Sequence, residues 1–438
     1  MTDPSTGPAL ATATLRRVTR RLIPFMLLLY IANYLDRVNV SFAALHMNRD
    51  LGFSGAVYGL GAGMFFLGYC LFQVPSNLVL ARVGARRWIG SLMIVWGTIA
   101  SAMMLVRGVA SFYTLRALLG VVEAGFFPGM ILYLTYWFPA VERARAVASF
   151  MTAIPISGVV GGPLSGALLG LNGVAGLAGW QWLFLLEGVP SVLLGAAALW
   201  YLTERPADAR WLPAEGRAWL VERLRRDQTS GGEEEGRTRA GLRQGLLDGV
   251  VWRLGLLYFL INAGLYGQGL WLPQIIKGSS QLSDLTVGLL SAAPALVAAV
   301  AMVAWAARSD RTGERHLHVA APLAAGAVGF LATALTRDVP LLATAALSLS
   351  AVGFTSALGP FWALPTAFLR GTAAAGGIAL INALGNVAGF TSPYLVGLVK
   401  DATGGYAGAL IVLALLMLAG ATLALALRRP RALRTAAG

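Results

Sequence analysis

Charge is what this chain has least of. Only 12% of its 438 residues are Asp, Glu, Lys or Arg, against 57% hydrophobic, and the mean hydropathy is +0.68. A soluble domain is about one quarter charged, so the composition excludes one. Cysteine is reduced to Cys70, which excludes a disulfide framework or thiolate cluster and leaves packing as its role. The three histidines, His46, His316 and His318, fall at loop ends, and no HExxH, Walker loop or GxSxG elbow occurs. The expectation is no enzyme, no cofactor, no bound metal and no ATP-driven pump.

What the chain has in excess is long apolar runs. Windows of about 20 such residues, enough to cross a hydrocarbon core of roughly 30 Å, recur along nearly its whole length. They are continuous and rich in Gly and Ala, whereas a membrane barrel would alternate over about 10 residues. Twelve helical spans are expected at roughly 22–45, 56–80, 88–106, 111–135, 146–170, 181–202, 251–276, 285–306, 317–336, 340–363, 372–398 and 404–427. The first apolar run starts only near Leu22 and no small-residue cleavage pattern follows, so no removed signal peptide is expected.

The net charge of +14 could suggest nucleic acid, but position decides otherwise. An even number of spans puts both ends on one side, and 27 of the 34 Lys and Arg residues fall there, in the N-terminal segment, alternate loops, the central interval and the tail. The opposite loops hold only Arg49, Arg107, Lys277, Arg337 and Lys400. The positive-inside rule then places both termini in the cytoplasm of a bacterial inner membrane. Basicity here is an orientation signal, with no nucleic-acid partner implied.

The longest polar interval separates two sets of six spans. The expected layout is a cytoplasmic segment (1–21), a first half (22–202), a linker (203–250), a second half (251–427) and a cytoplasmic tail (428–438). Within the linker, WLPAEGRAWLVERLRR sets Trp219, Leu220 and Leu224 on one face, which suits a helix at the lipid interface or a merely solvated one. TSGGEEEGRTR after it suits a flexible tether. An internal repeat supports the division. LARVGARR (80–87) and RSDRTGERH (308–316) align Arg82, Gly84 and Arg86 with Arg311, Gly313 and Arg315, each between the second and third span of a half. Parallel halves of this kind build large secondary transporters, with the substrate site at the interface near the midplane. The expected fold is an all-α integral membrane protein of twelve transmembrane helices in two pseudo-symmetric six-helix halves.

Four intramembrane ionisable residues dominate the chain: Asp36 and Arg37 in the first span, Arg116 and Glu123 in the fourth. A charge at a helix centre costs about 2.5–3.5 kcal/mol on insertion scales and normally faces the bundle interior with a partner. Seven residues turn a helix through about 700°, close to two full turns, with a rise of about 10 Å, so Arg116 and Glu123 share a face. Such a pair can line a watery pathway, the cation meeting an anionic substrate and the carboxylate exchanging a proton. Asp36 and Arg37 point about 100° apart, so one faces the cavity while the other reaches a neighbouring helix. The alternative, that the charges only tie helices together, explains pairing but not a midplane location.

Glu187 reads as a structural anchor rather than a coupling group. The second half is nearly uncharged between its loop ends, so its candidates are neutral: Asn262, Tyr266, Gln268, Thr355, Trp362, Asn382 and Asn386. Packing competes with substrate contact for each of them. Asn382 and Asn386 are four apart and share a face, and two carboxamides facing lipid would be unsatisfied. The Gly-rich VVGGPLSG (159–166) and GTAAAGGIAL (371–380) read as close-packing and hinge sites.

The SDRTGER loop and the 6+6 plan resemble the major facilitator superfamily over essentially the whole chain. One departure is Ala81, where the family's first loop carries an aspartate; this leaves Asp310 in the second loop as the residue for a charge-relay role. NYLDRVNVS (33–41), GYCLFQVPSNL (68–78), RALLGVVEAGFFPG (116–129), WQWLFLLEGVP (180–190) and LWLPQIIKG (270–278) narrow the resemblance to the anion:cation symporter branch. That branch includes bacterial D-galactonate, tartrate and phthalate carriers and, more distantly, the lysosomal sialic acid carrier.

In those symporters the positions matching Asp36 and Glu123 couple protons, those matching Arg37 and Arg116 hold or compete for the carboxylate, and that matching Tyr69 contacts substrate. The resemblance therefore implies proton-coupled uptake of an organic carboxylate, such as a sugar acid, tartrate or an aromatic acid, by alternating access. The implied partners are the substrate, protons and lipid, with the monomer as working unit. The rivals are sodium or phosphate coupling within the branch, and a transporter-like receptor that binds without moving its ligand.

Overall fold

The computed structural model describes residues 7–229, 249–278, 280–368 and 371–427; most of the expected tether, Arg370 and the basic tail lie outside them. All regular structure among the described residues is helical, as apolar runs require where no water satisfies the backbone. The first half comprises α1 (Gly7–Val38), α2 (Val40–Asp50), α3 (Gly55–Val83), α4 (Ala85–Ala102), α5 (Val109–Glu123), α6 (Phe126–Trp137), α7 (Ala140–Met151), α8 (Ala153–Leu169) and α9 (Gly179–Tyr201). After α10 (Ala214–Thr229), the second half comprises α11 (Gly249–Gly269), α12 (Leu272–Lys277), α13 (Asp284–Thr312), α14 (His316–Thr336), α15 (Pro340–Phe368), α16 (Gly371–Thr403) and α17 (Tyr406–Ala426). Joined across short breaks, α1–α2, α5–α6, α7–α8 and α11–α12 each form one span, which makes twelve. Ten spans are long and apolar enough to cross a membrane by composition alone. The other two, the first and the eleventh, carry Asp36, Arg37, Asn382 and Asn386.

Two breaks adjoin the intramembrane charges. Arg37 lies in the last turn of α1, and Glu123 is the last residue of α5. Interrupted backbone at membrane depth is tolerated only where protein or a watery cavity covers it, so these breaks mark an interior site.

The halves meet along two seams, α3 against α16 and α8 against α13, which the pseudo-symmetry exchanges. Glycine permits both. A Cβ at Gly59 would strike the Pro393 carbonyl, one at Gly63 that of Phe390, and Gly162 and Gly288 would each strike the other's carbonyl. The close-packing role expected for 159–166 thus falls on Gly162, and on Gly166 against the Asp284 carbonyl.

Polar contacts fasten the seams on the face opposite the chain ends, here the distal face. Asp401 of α16 accepts from Gly55 N at 2.8 Å and Ala56 N at 2.7 Å, so a carboxylate of one half caps a helix of the other. His46 Nε2 lies 2.8 Å from Asp284 Oδ2, and Lys277 donates to Oδ1 of the same carboxylate at 2.9 Å. The deepest contacts are Gly158 with Ala295 and Phe66 with Tyr266, whose ring centroids are 4.4 Å apart. Both lie eleven residues from the distal ends of α8 and α3, about 16 Å in. The cross-half hydrogen bonds, ion pairs and ring contacts named above all lie at this depth or nearer the distal face. The described contacts that join the halves therefore lie on the distal side.

The apolar face of α10 is spent on protein. Leu212, Leu220 and Leu224 are buried, Gly216 rests on Thr14 of α1, and Asp227 accepts from Ala140 N at 2.9 Å. Of the face the sequence set out, Leu220 and Leu224 pack on protein, while Trp219 stays half-buried.

Adding a side chain at the second seam should hold the distal face apart. Overpacking costs about 1–3 kcal/mol, so Gly162→Val should raise the distally open population roughly tenfold. In a Cys70→Ala background, an Asn386→Cys reporter should then react correspondingly faster with an impermeant maleimide added on the distal side. Unchanged reactivity would contradict the seam.

Candidate functional site

The site begins with α3 pressed onto α5. A Cβ at Gly120 would strike the Phe65 carbonyl, and one at Gly68 the Ala117 carbonyl. The two helices therefore touch nearly backbone to backbone, which sets the Phe65 ring against the charged face of α5. Α1 supplies the third wall.

Along this junction the buried groups form a ladder. Glu123 is fully buried, and its Oε2 accepts from Asn33 Nδ2 at 2.9 Å, Arg37 Nη2 at 3.0 Å and Arg37 Nε at 3.2 Å; its Oε1 has no partner. The Arg37 guanidinium lies 5.1 Å from the Phe65 ring centroid and 5.3 Å from that of Tyr69. On the same Phe65 ring, also at 5.1 Å, lies Arg116. Arg116 is 1% exposed, donates from Nη2 to the Ala62 carbonyl at 3.3 Å, and leaves Nε unpaired. Among the described residues no carboxylate lies within 4 Å of it.

Asp36 turns the other way. Its Oδ2 accepts from Trp96 Nε1 at 3.1 Å and from Ser191 Oγ, while Oδ1 has no partner. One turn from Ser191 on α9, Glu187 accepts from Ser165 Oγ at 2.8 Å. Asp36 is thus bound to neutral donors on α4 and α9. The two consecutive charges do address different neighbours, and Arg37 is the one that meets the fourth span. Arg116 and Glu123 share a face of α5, yet the ion pair across the spans is Arg37–Glu123. Tying helices together accounts for that pair alone.

In the second half the candidates separate. Gln268 is consumed by a helix–helix tie, donating to the Leu347 carbonyl at 3.1 Å and accepting from Ser350 Oγ at 2.6 Å. Thr355 bonds back to Ala351, and Tyr266 belongs to the seam. Trp362 packs on Tyr258 and Phe361, with centroids 4.9 and 5.3 Å away. Asn262 is buried with Nδ2 unpaired, beside Gly385. Asn382 and Asn386 are half-buried and make no hydrogen bond among the described residues. They continue the stripe of Gly389, Pro393 and Gly397, which faces α3, past the point where the seam ends.

The two repeated loops are organised differently. In the first, Gly84 takes φ +89°, Glu204 accepts from Ala85 N at 2.7 Å and Arg86 N at 3.1 Å, and Arg86 Nε donates to the Leu199 carbonyl; Arg82 is exposed. In the second, Asp310 pairs with Arg315 at 2.7 Å, Gly313 takes φ +66°, and Arg311 is exposed. Asp310 is therefore held within its own loop. A separate cavity of about 360 Å³, lined by Leu15, Glu142, Trp219 and Arg223 among others, lies by α10 and has no part in the ladder.

Sequence reasoning missed Phe65, Asn33, Trp96, Ser191 and Glu204. Helical spacing could have offered two of them, since Asn33 is one turn from Arg37 and Phe65 one turn from Tyr69.

The sequence model of the Major Facilitator Superfamily matches residues 26–393. The chain belongs to that superfamily, and is a multi-pass membrane transporter rather than an enzyme. A protein of Agrobacterium vitis named "Putative tartrate transporter" is 50% identical over 421 residues, 96% of each chain. "Putative metabolite transport protein NicT" of Pseudomonas putida is 43% identical over 399 residues, 91% of this chain and 90% of that one. A crystal structure of a bacterial homolog to the human lysosomal transporter Spinster, inward-facing and occupied, aligns with TM-score 0.76 over 92% of this chain and 96% of its own. At 16% identity that likeness is one of fold.

The pairing makes a stability prediction. Arg37→Gln strands the Glu123 carboxylate, which should cost about 3–5 kcal/mol. Arg116→Gln strands no carboxylate and removes a buried charge that has no counter-charge, so the melting temperature in detergent should hold or rise. Equal losses for the two variants would contradict this charge arrangement.

Proposed function

We propose that this member of the superfamily is a proton-coupled symporter that takes up a small organic carboxylate by alternating access. One observation carries the reading: among the described residues a buried guanidinium, Arg116, is met by a carbonyl and a ring face and by no carboxylate. A buried charge without a counter-charge costs several kcal/mol. A substrate carboxylate supplies what is missing, in the bidentate geometry that arginine favours. The name of the 50% identical relative supports an organic acid as the substrate class.

The lopsided loop charge supports cytoplasmic termini, so the face where the described contacts join the halves is the outer one, and we read the conformer as inward-open. Counted from the distal start of α5, Arg116 lies about 10 Å deep and Glu123 about 21 Å deep. Arg116 therefore sits behind the closed seam, where an anion from outside meets it first once the seam parts. Arg37, with 16% of its side chain exposed, sits where the seam ends.

With the site open outward, Glu123 takes a proton and gives up its hold on Arg37, so both arginines are available to the anion. After the halves rock, Glu123 loses that proton to the cytoplasm. The Arg37–Glu123 pair re-forms, as seen here, and displaces the anion inward. Asp36, held by Trp96 and Ser191 with no cation beside it, carries the second proton-exchanging carboxyl. Tyr69 borders the arginines, and Asn382, Asn386 and Trp362 supply the neutral wall opposite.

In proteoliposomes, Glu123→Gln, which imitates the protonated side chain, should abolish accumulation driven by a pH gradient while keeping substrate counterflow. Arg116→Gln should lose both, since truncating a buried charge contact costs about 2–5 kcal/mol, or thirtyfold and more. Gradient-driven accumulation by Glu123→Gln at the parental level would sink the coupling role. Uptake that requires sodium at fixed pH would transfer the role to that ion, and absence of counterflow in the parent would mark a receptor.

A further inference from the structure

We propose that Phe65 is a positioning residue whose ring keeps the charge of Arg116 open to an incoming anion; this rests on the reading of Arg116 as an anion contact. Two guanidinium groups, the partly exposed Arg37 and the buried Arg116, lie 5.1 Å from the centroid of this one ring. The ring is fully buried, and its plane is pinned by stacking on Tyr69 at 5.9 Å and an edge contact with Phe66 at 5.2 Å.

An aromatic face attracts a guanidinium through its quadrupole and carries no net charge of its own. A carboxylate in its place would hold Arg116 equally well and neutralise it. The ring and the Ala62 carbonyl orient the cation and leave it positive, which an anion receptor needs in its empty state.

Phe65 also stands in the way of the one obvious neutralising move. Arg116 and Glu123 share a face of α5, and the residue between them on that face is Gly120. Into the space above Gly120 fits the backbone of Phe65, close enough that a Cβ there would strike its carbonyl. Residue 65 is thus a wedge between the free arginine and the nearest carboxylate on its own helix. That backbone wedge stands whatever side chain residue 65 carries, so weakening the ring's hold leaves Arg116 loose beside it and no longer aimed at the incoming anion. A leucine would fill the volume without holding the cation.

The experiment separates the ring's electrostatics from its bulk. Mono-, di- and trifluorinated phenylalanine, introduced at position 65 by nonsense suppression, keep the shape and progressively weaken the quadrupole. Binding is read on purified full-length protein with whichever of tartrate, D-galactonate and phthalate the parent binds most tightly. Kd should rise stepwise with fluorine number, roughly tenfold at the trifluorinated ring, or about 1.4 kcal/mol. Uptake should show the same rise in KM with Vmax kept, and Phe65→Leu should match the trifluorinated ring. A flat or falling series, while Arg116→Gln abolishes binding, overturns the role of Phe65 and leaves that of Arg116 standing. Parental binding by Arg116→Gln overturns both.

Discussion

An ion left alone between apolar helices is unstable by several kcal/mol, and the four intramembrane charges meet that constraint in three different ways. Arg37 and Glu123 neutralise each other, with Asn33 bridging them. Asp36 is surrounded by neutral donors. Arg116 rests on a ring and a carbonyl and stays positive. The inequality among them singles out Arg116: three groups find ionic or hydrogen-bonding partners in side chains, whereas among the described residues the fourth meets a carbonyl and a ring face and no carboxylate.

The same turn of α3 connects this cluster to the motion of the halves. Phe65 faces the arginines, while Phe66 beside it packs on Tyr266 and Gly389 of the other half. Parting the seam therefore removes the contacts of one residue and bears directly on the next. Glycine-lined seams suit this kind of change, because backbone-to-backbone contact has no long side chains to unthread and tends to be made or broken as a unit. The carboxylates of Asp401 and Asp284 add polar contacts at the distal rim, where water can replace them when the halves separate.

Much of this architecture is written in local patterns. Continuous apolar runs mark the twelve spans, the repeated loops mark two halves, and the seven-residue spacing of Arg116 and Glu123 puts them on one face. What those patterns do not specify is who meets whom. Gln268 looked like a cavity residue and is tied to Leu347 and Ser350. Α10 looked free for lipid and is packed on α1. Glu204, 119 residues from Ala85, caps the helix after the first repeated loop, a partner that no spacing rule reaches.

By itself the sequence determined the properties that follow from helix geometry and solvation: which segments cross, which side carries the cations, which residues share a face, and that Asp36 and Arg37 diverge. Those depend on neighbours within a turn or two, and chain order contains them. Only the tertiary structure decided that Arg37 takes Glu123, 86 residues away, and that Arg116 reaches no farther than Ala62 and Phe65. Such pairings depend on the register at which α3 slides onto α5. Contacts at Gly61, Gly68 and Gly120 set that register, and its energy is spread over a whole helical interface that no short stretch of sequence displays.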